Sequence, residues 1–369
     1  MTANFIKVAM PHVGEEEVAA VRDVLLSGRY VSGPKVEEFE RRFAEFIGTG
    51  YAIAVSSGTA ALHIALEALG IGKGDEVIVP PLTFFATVSS VLYLGAIPVF
   101  ADIAPEDLCL SAQSTESHIT SRTKAIVPVH LFGAAARMDA FAALSLKYDI
   151  PIVEDCAQAH GTEHDGKKVG AIGNAGAFSF FATKHMTTGE GGMITTNNGA
   201  IANTCQILRN HGMTDRDTHE RLGFNNRMTE MEAAMGLVQL EKLDELNERR
   251  ISNSLYLIER IKQLPWARVP LPKYNTKHTF FWCPLIVEPL SDKTVETLKA
   301  HLHENGIGFR HRYSEPLYRQ PALKGVGLDY SKIFLPNVEA LAGRIIGLPN
   351  HPGLTQQDLD RIGDVLTAF

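Results

Sequence analysis

The chain has 369 residues, 45% hydrophobic and 21% charged, which suits a soluble enzyme able to build one large domain and a smaller one. A formal net charge of -7 gives no global attraction to nucleic acid or to an anionic membrane, so any anionic ligand must be held locally. Cys109, Cys156, Cys205 and Cys283 are scattered without a C-x-x-C spacing, which argues for a reducing compartment, with the cytoplasm as the expectation, and against a structural zinc.

Met1 to Gly14 lacks a basic-then-apolar leader pattern, and no apolar run is long enough to span a bilayer. Glu15 to Leu26 places Val18, Val21, Val24 and Leu25 at helical spacing. A Gly- and Pro-punctuated turn, Ser27 to Pro34, precedes a second helix with Val36, Phe39, Phe43 and Phe46 on one face. From Tyr51 the pattern changes to short apolar strands alternating with helices. Ala52–Val55 reads as a strand, Ser56–Thr59 as a turn, and Leu62, Ala65, Leu66 and Leu69 as one helical face. The unit recurs as strand Glu76–Val79, helix Thr83–Leu94 and strand Ile97–Phe100, then as strand Ala125–Val129, helix Ala140–Tyr148 and strand Ile152–Val153. This alternation predicts an α/β fold with a mostly parallel sheet between helices, and ligands beyond the carboxyl ends of the strands.

Ala175–Phe181 reads as a buried strand that breaks into a glycine-rich turn, and a further strand follows Gly192. After a helix over Ala200–Asn210 and a polar loop to Asn226, a long helical pattern runs from about Thr229 to Leu264 and bridges into a smaller α+β C-terminal domain. There a strand over Phe280–Val287 and helices over Asp292–Asn305 and Leu354–Phe369 are expected. The division expected is a large domain over residues 1–245, with the N-terminal helices, and a small domain over 246–369.

Three strand ends carry chemistry. Ser56-Ser57-Gly58-Thr59 offers free backbone N–H groups and hydroxyls at the positive end of a helix dipole, which suits a phosphate, although such residues also cap helices that bind nothing. Asp155 ends an apolar strand, where a carboxylate needs a cation or several donors; a protonated ring nitrogen, an internal ion pair or a helix cap would each serve. Lys184 is the first charge after Ala175–Phe181. A lysine at the mouth of an apolar sheet loses its proton more easily than a solvated one and can then condense with an aldehyde, whereas an ordinary surface lysine would not. Together, a phosphate cradle, a buried carboxylate and a strand-end lysine meet the needs of pyridoxal 5'-phosphate (PLP).

At this point the chain resembles the DegT/DnrJ/EryC1/StrS sugar aminotransferases over nearly its whole length. The resemblance runs through Gly33-Pro34 with Phe39-Glu40, Ser57-Gly58-Thr59-Ala60-Ala61-Leu62, Thr83-Phe84 and His130-Leu131-Phe132-Gly133. It continues in Glu154-Asp155 with Gln158-Ala159-His160-Gly161, Ser179-Phe180 with Lys184, and Gly189-Glu190-Gly191-Gly192-Met193. Arg209-Asn210-His211-Gly212, Gly223-Phe224-Asn225 with Arg227-Met228, and Leu348-Pro349 with His351-Pro352 complete it.

The resemblance implies a PLP enzyme of the fold-type I aminotransferase kind. Lys184 would hold the cofactor as an imine and then shuttle protons, Asp155 would pair with the pyridine nitrogen, Gln158 would lie against the ring or its phenolic oxygen, and Phe84 would cover the other face. Ser57, Gly58, Thr59 and Ser179 would form the phosphate site, with Asn225 reaching the phosphate of a neighbouring subunit in a homodimer with shared sites. A dehydratase branch of the family carries histidine in place of the lysine; Lys184 is present here and His185 merely follows it. The expected reaction moves an amino group from L-glutamate to a keto sugar, foremost a nucleotide-linked 4-keto-6-deoxy sugar, for amino-sugar biosynthesis.

Other acceptors compatible with the same residues are a keto-cyclitol, a 3-keto sugar or a keto sugar without a nucleotide. A PLP-binding regulatory protein is a reading from another class, and a cysteine hydrolase built on Cys156, His160 and Asp155 is remote, since neighbours on one strand end form a poor relay. Tyr30, His160, His211 and Arg227 are further pocket residues or structural ones, and Gly308–Tyr313 offers cations to a diphosphate or is a partly solvated strand. Fourteen histidines without tight ligand spacing predict no metal site.

Overall fold

The computed structural model describes residues 5–290 and 293–369. Helices α1 (Glu15–Ser27) and α2 (Pro34–Ile47) lead into β1 (Tyr51–Val55) and α3 (Gly58–Ala68). Then follow β2 (Glu76–Val79), α4 (Ala86–Tyr93), β3 (Ile97–Phe100), the short α5 (Ala112–Ser117), β4 (Thr123–Ile126), α6 (Met138–Tyr148) and β5 (Val153–Asp155). A small excursion holds β6 (Glu163–His164) and β7 (Lys167–Lys168) before β8 (Ala175–Ser179), β9 (Gly192–Thr196) and α7 (Gly199–Arg209).

Across the main sheet the strands run β3, β2, β4 and then β5, β8, β9, β1, with parallel bridges from Ile126 to Ile152 and from Val129 to Asp155 joining the two parts. Only β9 is antiparallel to its neighbours, so the expected mostly parallel α/β sheet is what forms. Strand pleating divides the residues of β1 between two cores: Ile53 and Val55 join one, and Ala52 and Ala54 join the other. Strand β8 does the same with Ala175 and Ala177 on one side and Phe178 on the other. Helix α3 is apolar around its circumference, and Ala60 to Leu66 are all buried, as a helix covered on every side requires.

Helix α8 (Glu230–Ile261) starts at a capping box between Thr229 and Glu232 and places Leu237, Leu240 and Leu243 in the second of these cores. Beyond it come β10 (Ala267–Arg268), β11 (Thr276–Lys277), β12 (Cys283–Val287), α9 (Val295–Glu304), α10 (Pro321–Gly325), α11 (Pro336–Leu341), β13 (Ile345–Leu348) and α12 (Gln356–Ala368). Strands β10, β12 and β13 form an antiparallel sheet over a third core shared with Leu257 and Ile261 of α8 and, from the far end of the chain, Ile6. Residues 317–345 instead contribute Leu317, Tyr318, Leu335 and Ile345 to the first core.

Several expected boundaries move inward. Thr83 to Phe85 lie outside α4, with the Phe84 and Phe85 carbonyls accepting its first N–H groups, and Phe280 has a φ of 46°, which no strand residue can hold. The expected helix start at Asp292 lies outside the described residues. Among those residues no helix is long and apolar enough to cross a membrane.

Candidate active site

The carboxyl ends of β1, β5 and β8 bring together Ser57 to Thr59, Asp155 to Gln158, and Ser179 to Lys184. At the start of α3 the Ser57 hydroxyl accepts the Ala60 N–H at 3.1 Å and the Ser57 carbonyl accepts the Ala61 N–H at 3.0 Å. The Gly58 and Thr59 N–H groups, earlier in the same turn, make no hydrogen bond to the described residues, as the first N–H groups of a helix are left by its geometry. Chain segments crowd against this turn. A Cβ on Gly58 would sit 2.6 Å from Ser179 Cβ, and one on Gly192 would sit 2.4 Å from the Ser57 carbonyl oxygen. Only glycine lets Ser179 and the helix start approach so closely, which sets the Ser179 hydroxyl beside the Gly58 backbone.

Glu154 and Asp155 are consecutive on β5 and therefore face opposite ways. Glu154 is wholly buried; its Oε1 accepts N–H groups from Ile172 at 2.9 Å and Gly173 at 2.7 Å. His130 Nδ1 accepts the Ala136 N–H at 3.0 Å, so its proton sits on Nε2 and is donated to Glu154 Oε2 at 3.1 Å. Cys156 lies in the same cluster, the one group among the described residues whose potential metal-ligand atoms fall within 4.8 Å of one another. Because both imidazole nitrogens and both carboxylate oxygens are already committed, the cluster acts as a strut that fixes β5.

Asp155, held by that strut, turns to the site. Its Oδ2 accepts the Thr87 hydroxyl at 2.8 Å and its Oδ1 the Ala157 N–H at 3.1 Å. Burial pushes its carboxyl above the usual range, against these donors and the nearby Lys184. Lys184 has its Nζ 4.9 Å from the centroid of the Phe281 ring. Burial brings its amine down to about 8, with Asp155 opposing the shift and Arg312 adding to it. Beneath it, burial first and then Lys184 take His160 down to about 3, so that imidazole is neutral. Arg250, also buried, donates from Nη2 to the Lys184 carbonyl at 3.4 Å.

Gln158 is clamped at both ends. Its Oε1 accepts the Phe132 N–H at 3.0 Å, and its Nε2 donates to the Tyr313 hydroxyl at 3.0 Å. Phe132 and Tyr313 both hold left-handed backbone, with φ of 57° and 60°, a conformation that a bulky residue adopts only when its surroundings enforce it. One amide proton of Gln158 remains free for a ligand. Phe84 is 56% exposed beside the helix-start turn of α4. Asn225 is exposed on the loop before α8, paired through its backbone to Asn210, and the carbonyl of the neighbouring Asn226 accepts the Ser56 N–H at 2.9 Å, which sets this loop beside the turn that opens α3.

Sequence reasoning did not single out Thr87, Phe281 or Arg250. Thr87 looks like any helix-surface hydroxyl, and Phe281 and Arg250 lie far along the chain from Lys184. Tyr313 lay within a run noted only for its cations.

These features fit PLP: unused N–H groups at a helix start for a phosphate, a lysine amine with a lowered pKa for an aldehyde, and a buried carboxylate for a ring nitrogen. The fold and site are those of a PLP-dependent aminotransferase of fold type I.

The DegT/DnrJ/EryC1/StrS aminotransferase family model matches residues 11–367. DesV of S. venezuelae, solved in complex with a ketimine intermediate, is 35% identical, with a TM-score of 0.91 over 96% of this chain and 94% of that one. An aminotransferase from Psychrobacter cryohalolentis is 32% identical over 97% of each chain, with a TM-score of 0.91. PseC of Helicobacter pylori, an aminotransferase involved in the biosynthesis of pseudoaminic acid, is 28% identical over 99% of each chain, with a TM-score of 0.90. The protein belongs to the DegT/DnrJ/EryC1/StrS aminotransferase family.

Proposed function

We propose that the protein transfers the amino group of L-glutamate to a keto sugar, with a nucleotide-linked 4-keto-6-deoxy sugar as its acceptor, in amino-sugar biosynthesis. The observation that carries the reading is the convergence of Lys184, Asp155 and the start of α3 on one sheet edge. Membership of the DegT/DnrJ/EryC1/StrS aminotransferase family and similarity to PseC, an aminotransferase involved in the biosynthesis of pseudoaminic acid, support a sugar acceptor.

Bound PLP would supply an electron sink for the carbanion formed when a Cα–H bond breaks. The chain's own residues do the rest. The Gly58 and Thr59 N–H groups with the Thr59 and Ser179 hydroxyls hold the phosphate, and the Ser57 side chain caps the helix that presents them. Asp155 keeps a proton on the ring nitrogen, while Gln158 and Phe84 border the ring. Lys184, with its amine near 8, is a base and an acid of nearly matched strength at neutral pH, as a shuttle needs. Neutral His160 places no second charge beside it. Asn225, exposed on the loop before α8, serves the neighbouring subunit of a homodimer in this reading.

The test is a split reaction. Protein incubated with glutamate and desalted should lose the visible band of the Lys184-bound cofactor. A 4-keto-6-deoxy nucleotide sugar should restore it, while a keto-cyclitol should not. Restoration by the cyclitol alone, or a band indifferent to glutamate, contradicts the proposal.

A further inference from the structure

We propose that Thr87 and Thr83 are positioning residues, a two-hydroxyl relay that orients the Asp155 carboxylate toward the cofactor's ring nitrogen. The inference rests on the reading that Asp155 faces that nitrogen.

The direction of the relay follows from counting protons. Asp155 Oδ2 accepts from Thr87 Oγ1 at 2.8 Å, which uses the single hydroxyl proton of Thr87. The 3.1 Å contact between the Thr83 and Thr87 hydroxyls must then run from Thr83 to Thr87. Thr83 and Thr87 are 2% and 1% exposed, so water does not compete for either bond, and each donor polarises the next.

The neighbours of Thr87 show that this geometry is not the default. On α4 the Ser89 hydroxyl donates back to the Ala86 carbonyl at 3.4 Å and the Ser90 hydroxyl to the Thr87 carbonyl at 3.1 Å, the local bonds that hydroxyls in helices ordinarily make. Thr87 instead reaches across to β5. With the Ala157 N–H on Oδ1 at 3.1 Å, each oxygen of Asp155 carries one fixed donor from a different element, so the carboxylate cannot rotate. One remaining lone-pair direction on each oxygen is left for the ligand. Without Thr87 the carboxylate gains a rotational degree of freedom and an unshared, more basic oxygen, and draws the ring proton toward itself.

The test uses holoenzyme reconstituted with PLP isotopically labelled at its ring nitrogen, read by the nitrogen NMR shift and by the cofactor dissociation constant. Thr87→Val should move the shift toward the unprotonated range and weaken cofactor binding roughly 10-fold or more, the effect of one lost hydrogen bond to a charged group. Thr87→Ser should restore both. Thr83→Val should move the shift the same way by less, and it keeps the relay testable should Thr87→Val fail to fold. An unchanged shift in Thr87→Val, or equal displacement in the serine and valine variants, overturns the relay. Asp155→Asn separates the two ideas. If it leaves the shift unmoved, the placement of Asp155 against the ring fails and the relay with it; if it moves the shift and Thr87→Val does not, only the relay fails.

Discussion

Lys184 carries its Nζ 4.9 Å from the centroid of the Phe281 ring, so the reactive amine from the large sheet is packed against an aromatic ring that precedes β12. This contact helps exclude water, and burial is the first cause of the amine's low pKa of about 8. The free protein therefore holds Lys184 at the expense of stability. Between pH 8 and the unfolded value near 10.4 the unfolded chain binds more protons, so stability rises with pH there. In apo-protein, Lys184→Met should be more stable than wild type at pH 7 by up to roughly 3 kcal/mol, at about 1.4 kcal/mol per pKa unit. The gap should close as pH passes from about 8 to 10.4. Urea unfolding across that range checks it; a gap that widens with pH refutes it.

Lys184→Ala should abolish attachment of PLP that borohydride can trap, with peptide mass mapping as the readout. Retained attachment at full stoichiometry would contradict the assignment.

Gly58→Ala places a Cβ 2.6 Å from Ser179 Cβ, closer than real contacts allow, and must part α3 from β8. Its cofactor dissociation constant should rise by at least about 10-fold, equivalent to about 1.4 kcal/mol. Gly72→Ala, where a Cβ meets nothing within 4 Å, is the control and should bind cofactor as wild type does.

Shared sites can be tested by mixing inactive subunits. In a heterodimer of Lys184→Ala with Asn225→Ala, one site holds both intact residues and the other holds neither. Refolding an equal mixture should recover about a quarter of wild-type activity, since half of the dimers are mixed and half of their sites are whole. No recovery beyond the two parents would place Asn225 in its own chain's function or in none.

Glu154→Ala should destabilise the fold by roughly 3 to 5 kcal/mol, because it strips the partner from a buried imidazole N–H and two backbone N–H groups. Equilibrium urea unfolding measures it, and a loss below about 1 kcal/mol would show that the strut around His130 is dispensable.

The sheet was legible in the sequence because buried strands of four or five apolar residues alternate with helices, and the strand ends at Ser57, Asp155 and Lys184 stand out as polar groups after apolar runs. What surrounds them was not. Thr87 reaches Asp155 across 68 positions and Tyr313 reaches Gln158 across 155; no local periodicity encodes which hydroxyl of a helix turns outward or which loop folds back. The displaced ends of α4 and β12 have the same origin. Phe280 is held at positive φ by its surroundings, including a carbonyl bond from Asn350 at 2.6 Å, a partner that lies beyond any sequence window.

Because Glu154 and Asp155 are chain neighbours that look to opposite sides of β5, the segment has no tolerance for slippage. Adding or deleting one residue between the strand's start and this pair would exchange the two carboxylates, aiming the structural one at the reaction centre and sinking the functional one among the Ile172 and Gly173 amides. Designers who graft new specificity onto this scaffold can vary its loops, but the spacing that leads into β5 must stay as it is.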